Sequence, residues 1–309
     1  MDTLVSIITI NYNGLADTCD LIDSIPFSST VEMIVVDNGS QADEASVIAR
    51  RYPHVTVVRS ERNLGFAGGN NLGIRAAHGK YLFLLNNDTT LGRKKGEAKG
   101  EQLTAAFQPL IDRLERSPKI AVVCPKIRFS WDDSPIQFAG YTPLSAVTLR
   151  NRAIGCGEAD HGQYDEAHST PYAHGAAMMV KREALDRVGL MPECYFLYYE
   201  ELDWSMMFTR AGYEIWYDPG LTVYHKESRT TGQGSPLRTY YITRNRLLFA
   251  RRNVGMPVRL LTYLYLLAGV ALRDICKFAF HGQGGHCRAV CRGIWQFIVH
   301  SSQFIVHSS

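Results

Sequence analysis

The chain has 309 residues, 46% of them hydrophobic, with a formal net charge of +3; that length holds one large α/β domain or two small ones around an ordinary core. A near-neutral total gives no sign of a nucleic-acid binder, yet the charge is uneven. Residues 244–309 carry nine Lys/Arg against the single acid Asp274, a balance of +8 that leaves −5 on residues 1–243, so a basic tail on an acidic body points to an anionic surface as partner.

In chain order, Val5–Ile10 is a short β-branched run with no positive region before it, and reads as a first strand rather than a signal peptide. The turn-prone Asn11-Tyr12-Asn13-Gly14 follows. A helix is predicted over Leu15–Ile25, stopping at Pro26, and a second strand over Met33–Val36, ending on Asp37-Asn38-Gly39-Ser40. Ala42–Arg51 reads as a helix, Val55–Val58 as a third strand, Leu72–Ala77 as a helix closed by Gly79, and Tyr81–Leu85 as a fourth strand ending in Asn86-Asn87-Asp88. Strands and helices alternating at this spacing indicate a doubly wound, mostly parallel sheet.

Residues 92–102 are polar and aperiodic and read as a loop; a helix over Phe107–Leu114 and a strand over Ile120–Cys124 come next. The pattern weakens into short strands and loops from Phe129 to Thr170, then predicts a strand at Ala176–Val180 and a helix at Glu200–Gly212. Two short strands, Ile215–Tyr217 and Leu221–Tyr224, flank Asp218-Pro219-Gly220. Leu260–Leu272 is a run of 13 uncharged residues between Arg259 and Arg273. A membrane span needs about 20, so this run reads as an interfacial or packed helix. QFIVHSS occurs in tandem at 296–302 and 303–309 and is given no function. The seven cysteines form no CxxC pair, which fits a reducing compartment.

Open parallel sheets bind ligands beyond the carboxyl ends of their strands, and three polar clusters fall there: Thr9 to Asn13, Asp37 to Ser40, and Asn86 to Asp88. Neither GxGxxG nor GxxxxGK[ST] follows the first strand, which argues against a dinucleotide fingerprint and a P-loop. Asp37 is placed to accept from a base or ribose, or to close a turn; Asp88 to hold a cation, or to cap a helix. Asn63 to Asn71 is glycine-rich ahead of a helix, where backbone amides approach a phosphate or sugar closely. Glu200, Glu201 and Asp203 open a helix; Glu200 and Asp203 share a face and Glu201 points elsewhere. These acids either carry chemistry or complement the helix dipole. His225 ends a β-rich run, as a ligand or a structural residue.

Taken together, Asn11-Tyr12-Asn13, DNGS, NLGFAGGNN, LLNND, YEELD and His225, in that order, resemble the glycosyltransferase family 2 enzymes, and especially a rhamnosyltransferase-like branch that builds bacterial polysaccharides. The resemblance covers roughly residues 4–250 and includes Pro125-Lys126-Ile127, Phe138-Ala139-Gly140 and Tyr240 to Arg246. It implies a GT-A fold, with residues 1–127 as the nucleotide-sugar half and 128–243 as the acceptor and catalytic half. A helical tail occupies 244–309. By resemblance, Thr9, Asn11 and Asp37 cradle the nucleoside, and Asn63, Gly65, Gly68 and Asn70 line the donor pocket with Asn86 and Asn87. Asp88 and His225 hold Mg²⁺ or Mn²⁺, and Glu201, flanked by Glu200 and Asp203, stands at the base position. Asn86 replaces the first Asp of the family's DxD, Glu replaces Asp at the base, and Met207 stands where many relatives have Arg.

The implied function is inverting transfer of a sugar from a nucleoside-diphosphate donor, dTDP-rhamnose or a UDP-sugar, to a saccharide or polyprenyl-linked acceptor. It implies polysaccharide or cell-wall synthesis at the inner, anionic face of the cell membrane. Inversion needs one base on the acceptor hydroxyl and one sink for the diphosphate's charge, and a hard cation on oxygen ligands supplies the sink; an imidazole ligand tilts the choice toward Mn²⁺. Two rivals remain. A nucleotidyltransferase needs a glycine-rich phosphate loop that residues 9–16 lack. A catalytically impaired nucleotide-sugar-binding protein is favoured by Asn86 and Met207 and opposed by Asp88, Glu201 and His225.

Overall fold

A computed structural model describes residues 3–25, 29–92, 100–131, 133–227 and 234–300. The stop at Pro26, residues 93–99 of the expected polar loop and the second QFIVHSS copy lie outside the described residues. Up to Asp88 the chain alternates as expected: β1 (Val5–Asn11), α1 (Leu15–Ser24), β2 (Val31–Asn38), α2 (Glu44–Arg51), β3 (Thr56–Ser60), α3 (Gly65–Ala76) and β4 (Tyr81–Leu85). These four strands pair in parallel in the order β3-β2-β1-β4. Helices cover both faces, so β4 is a continuous apolar run and β1 is buried on both sides rather than alternately; Val5, Ile7, Ile8, Leu82 and Phe83 are fully buried.

The second half departs from a parallel sheet. It comprises β5 (Thr89–Leu91), α4 (Gly100–Glu115), β6 (Ile120–Phe129), β7 (Ile136–Phe138), β8 (His168–Ser169), β9 (Ala177–Lys181), α5 (Arg182–Val188), α6 (Glu200–Arg210) and β10 (Glu214–His225). β9 inserts antiparallel between β4 and β6, and β5 pairs antiparallel with the far edge of β10, so the order continues β4-β9-β6-β10-β5. The physical consequence is that β9 begins, rather than ends, at the ligand edge: Ala177 lies opposite Leu85. The two short strands expected around Asp218 are one strand, β10, with a register shift between Asp218 and Thr222; the Pro-Gly pair makes a bulge, not a break. Residues 100–102, expected as loop, open α4.

α7 (Pro236–Asn253) runs straight through the 243/244 boundary drawn from composition, and Arg244 to Ala250 are buried in it. After α7 come α8 (Val258–Leu264), a π-helical segment (Tyr265–Ala271), α9 (Leu272–Phe280) and α10 (Gly284–His300). α7 shares a small core with these helices and with the segment before α6, in which Tyr195, Leu247, Leu248, Phe249 and Leu266 meet. No helix among the described residues is long and apolar enough to cross a membrane.

Candidate active site

At the carboxyl ends of β1 and β2, Thr9 and Asp37 are fully buried, and Thr9 Oγ1 and Asp37 Oδ2 have no hydrogen-bond partner. Buried polar atoms are nearly always paired; among the described residues these two side-by-side atoms are not. Asn11 is differently used. Its Nδ2 lies 2.7 Å from Glu44 Oε2, 3.2 Å from Ser40 Oγ and 3.3 Å from Asp37 Oδ1, and its Oδ1 accepts from Thr18 at 2.7 Å. Expected to touch the nucleoside, Asn11 is instead saturated by protein and orients Asp37. Glu44, which also accepts from the Gly14 amide at 3.2 Å, was not singled out from the sequence; an acid in the first turn of a helix is the only signal it gives.

The glycine-rich segment is not a loop but the first turns of α3. Asn63 Oδ1 accepts from the Gly65 amide at 2.8 Å, and Phe66 N donates to Phe196 O at 2.7 Å. These two helix-start amides are therefore bonded within the protein. The glycines serve close packing. A Cβ on Gly73 would lie 2.4 Å from Ile8 Cγ2 and one on Gly69 2.9 Å from Ile10 Cδ1, so α3 lies directly on the sheet. Gly65, at φ +75°, has the Phe196 carbonyl where a Cβ would stand. A Cβ on Gly68 would meet Leu64. Asn70 Nδ2 turns back to Phe66 O at 3.1 Å.

Beyond β4, the Asn86 amide donates to Ala176 O at 2.9 Å and its carbonyl accepts from Thr89, which forms the turn into β5. Asn87 Nδ2 reaches Thr18 at 3.1 Å. The pairing of β5 with β10 sets Thr89 opposite His225, and this register brings Asp88 Oδ1 within 3.1 Å of His225 Nε2, both side chains buried. Gln137 Oε1, on β7, lies 2.8 Å from His225 Nδ1. With Gln137 taking the Nδ1 proton, Nε2 and the carboxylate face each other as two acceptors, which a proton or a metal cation between them satisfies. Oxygen and imidazole donors suit Mn²⁺ or Mg²⁺, so the residues present fit such an ion. They form a pair: no cluster of three His/Cys/Asp/Glu occurs among the described residues.

Across the edge, β9's reversed start carries His174 and Gly175. His174 stacks on Tyr141, with centroids 5.9 Å and planes 8° apart, and burial, with His225 nearby, pushes its pKa down to about 3, so it is neutral. A Cβ on Gly175 would lie 3.8 Å from both Glu201 Cγ and Phe66 Cζ, which puts Glu201 at the same edge as α3's start. Burial raises the Glu201 carboxyl above its ordinary 4.5, and raises Glu200 well above it, with repulsion from Glu201 adding. Glu200 Oε2 is buried without a partner. The pair does not ionise freely together, and titrates as a unit.

Asp203 does not join them. It is fully buried against α7, accepting from Tyr195 Oη at 3.0 Å, Asn253 Nδ2 at 2.8 Å and Arg252 Nε. Expected beside the catalytic acids, its carboxylate is bound between α6 and α7. Elsewhere, a cleft of about 540 Å³ is lined by Arg113, Lys126, Asp160, Asp165 and Asp218. Its charges pair with one another, Arg113 with Asp218 at 2.9 Å and Lys126 with Asp160 at 3.1 Å, and its lining holds none of the candidate catalytic, donor-binding or metal residues.

The sequence pattern described as Glycosyl transferase family 2 matches residues 6–97. A low-salt glycan biosynthesis hexosyltransferase of Haloferax volcanii is 26% identical over 215 residues, covering 68% of this chain and 63% of the relative; this chain thus spans less than two thirds of that protein. An N-acetylglucosaminyl-diphospho-decaprenol L-rhamnosyltransferase of Mycobacterium tuberculosis is 24% identical over 231 residues, covering 68% of this chain and 71% of the relative. Among solved structures, GalNAc-T7 with UDP, GalNAc and Mn²⁺ superposes with a TM-score of 0.59 at 14% identity, over 88% of this chain and 57% of that one. The mannosyltransferase PcManGT of Pyrobaculum calidifontis, with GDP-Man and Mn²⁺, gives 0.54 at 16%, over 100% and 77%. The fold they share with this chain is a mixed central sheet flanked by helices.

Proposed function

We propose, on the premise that this chain belongs to glycosyltransferase family 2 and has a GT-A fold, that it transfers a sugar from a nucleoside-diphosphate donor to a saccharide hydroxyl with inversion. The observation that carries this reading is the pair of buried polar atoms at the carboxyl ends of the neighbouring strands β1 and β2, Thr9 Oγ1 and Asp37 Oδ2, that find no partner among the described residues. Asp37 Oδ2 accepts from the nucleoside and Thr9 Oγ1 gains the partner it lacks. Asp88 and His225 hold the divalent cation, with Gln137 fixing the imidazole. When bound, that cation neutralises charge on the departing diphosphate. Glu201 takes the proton of the acceptor hydroxyl as the new bond forms. Glu200 stays protonated beside it, so one negative charge rather than two sits in the pair.

The donor is a dTDP- or UDP-sugar, with rhamnose favoured as the sugar by the mycobacterial rhamnosyltransferase, and the acceptor is a lipid-linked saccharide like the N-acetylglucosaminyl-diphospho-decaprenol in that relative's name. The exposed apolar side chains of the C-terminal helices support work at the inner face of an anionic membrane. Release of nucleoside diphosphate from UDP-glucose, UDP-N-acetylglucosamine, GDP-mannose and dTDP-rhamnose, with prenyl-diphosphate-linked N-acetylglucosamine as acceptor, tests the reading. One donor is expected to turn over. Glu201→Gln should lower its kcat by about 10²–10⁴-fold with little change in donor affinity. Because burial raises the base's pKa, wild-type kcat/KM should rise with pH along an acid limb lying above 4.5. Near-wild-type turnover by Glu201→Gln would refute the assignment.

A further inference from the structure

The segment between α5 and α6 reaches the acid pair through three bulky residues in left-handed conformation: Phe196 at φ 68°, Tyr198 at 70° and Tyr199 at 79°. Non-glycine residues hold such angles only where the surroundings over-determine them. Tyr199 is also the N-cap of α6 and gives it no side-chain cap. What holds this segment comes from 45 to 50 residues later in the chain, on α7. Asn245 is fully buried, and its Nδ2 lies 2.7 Å from Leu197 O, 2.9 Å from Tyr198 O and 3.1 Å from Tyr195 O. Arg244 Nε donates to Asn245 Oδ1 at 2.8 Å, while its terminal nitrogen donates to Cys194 O at 3.1 Å and to Tyr195 O. Two adjacent side chains thus hold the carbonyls of 194, 195, 197 and 198. The opposite side of the segment is held by α3: Phe66 N on Phe196 O at 2.7 Å, and Asn71 Nδ2 on Met191 O at 2.8 Å.

We infer that Arg244 and Asn245 are positioning residues for the base: by fixing the backbone just before α6, they set the direction in which Glu201 leaves the helix toward the acceptor. This rests on the proposed role of Glu201. Neither side chain touches the donor half, where Thr9, Asp37 and Asp88 lie. A general base must come within hydrogen-bond reach of the proton it takes, and a displacement of about 1 Å costs up to about 100-fold in rate. Release of the clamp therefore lowers kcat and leaves nucleotide binding alone.

The test is a double-mutant cycle on the fastest donor of the panel above, with UDP and dTDP affinities measured by calorimetry. Asn245→Ala is expected to lower kcat by about 10–100-fold, to leave nucleotide affinity within about twofold, and to cost nothing further in a Glu201→Gln background, since a positioning residue acts through the group it positions. Arg244→Lys, which keeps the charge and loses the planar fork, should show a smaller loss with the same non-additivity. It carries the cycle if Asn245→Ala fails to give a cooperative melt. Additive losses, or unchanged kcat in both variants while Glu201→Gln is inactive, would overturn the inference and leave the base standing. An active Glu201→Gln would instead remove the base on which the inference rests.

Discussion

Asp88 and His225 are 137 positions apart and meet at 3.1 Å because a three-residue strand turns back along the end of β10. Each was marked from the sequence by its place after a strand; that they face each other was not legible, since β5 is too short to leave a periodic signal. Gln137 was missed for the same reason. It sits on a three-residue strand, and a lone Gln in a weakly patterned stretch has nothing to distinguish it. Asp88→Asn keeps the shape and removes the charge that holds a cation, so turnover should fall at least about 100-fold, with loss of Mn²⁺-enhanced binding of UDP or dTDP. Gln137→Leu should weaken metal affinity by about 10–100-fold through the freed imidazole. Calorimetric titration with Mn²⁺ measures both, and full wild-type turnover in excess EDTA would count against the pair as a metal site.

At the scale of elements, the sequence and the structure diverge most where a motif changes its meaning on packing. Glycines in α3 looked like a phosphate-facing loop; in place they let a helix lie on β1, because Ile8 and Ile10 fill the space a side chain would need. YEELD shows the same split. Residues two apart on a helix point about 200° apart, so Glu201 faces Gly175 while Asp203 is carried onto α7, where Arg252 and Asn253 receive it. Asp203 has no exposed surface and Arg252 is 30% exposed, so removing the carboxylate's charge leaves a half-buried guanidinium without its counter-ion. Asp203→Asn should cost about 2–3 kcal/mol, a melting temperature about 5–10 °C lower. A melt followed by circular dichroism measures this; an unchanged midpoint would show that the ion pair contributes no net stability.

Across the whole molecule, the basic, apolar end of the chain forms a helical layer whose first helix, α7, docks on the segment before α6 through Arg244 and Asn245. The helices after it pack on α7 through Ile294, Phe297 and Tyr263 and turn other apolar side chains outward: Leu264 is 64% exposed, Leu272 57%, Trp295 65% and Ile298 58%. Arg273, Arg288 and Arg292 lie among them in sequence. Each such cation near an anionic bilayer contributes about 1 kcal/mol, screened by salt, and the leucines and tryptophan supply apolar area to the headgroup boundary. The protein is expected to float with vesicles rich in anionic lipid at low salt and to be partly released at high salt. Leu264→Gln with Trp295→Gln, both at exposed positions, should abolish flotation while preserving the melt. Failure of the wild type to float under low salt would leave these helices as a packing element alone.

By itself the sequence determined the alternating first half of the fold and the strand ends at which Thr9, Asp37 and Asp88 lie. These follow from local periodicity and from the geometry of parallel strands, which a short window of residues already contains. Tertiary structure alone decided that β9 enters reversed and sets Gly175 beside Glu201, that Asn11 bonds to Glu44, and that α7 docks on the segment before α6. Each of those depends on strand register or helix docking between segments tens to hundreds of residues apart, and long-range pairing is set by which buried surfaces and unpaired polar groups meet, not by any pattern within one segment.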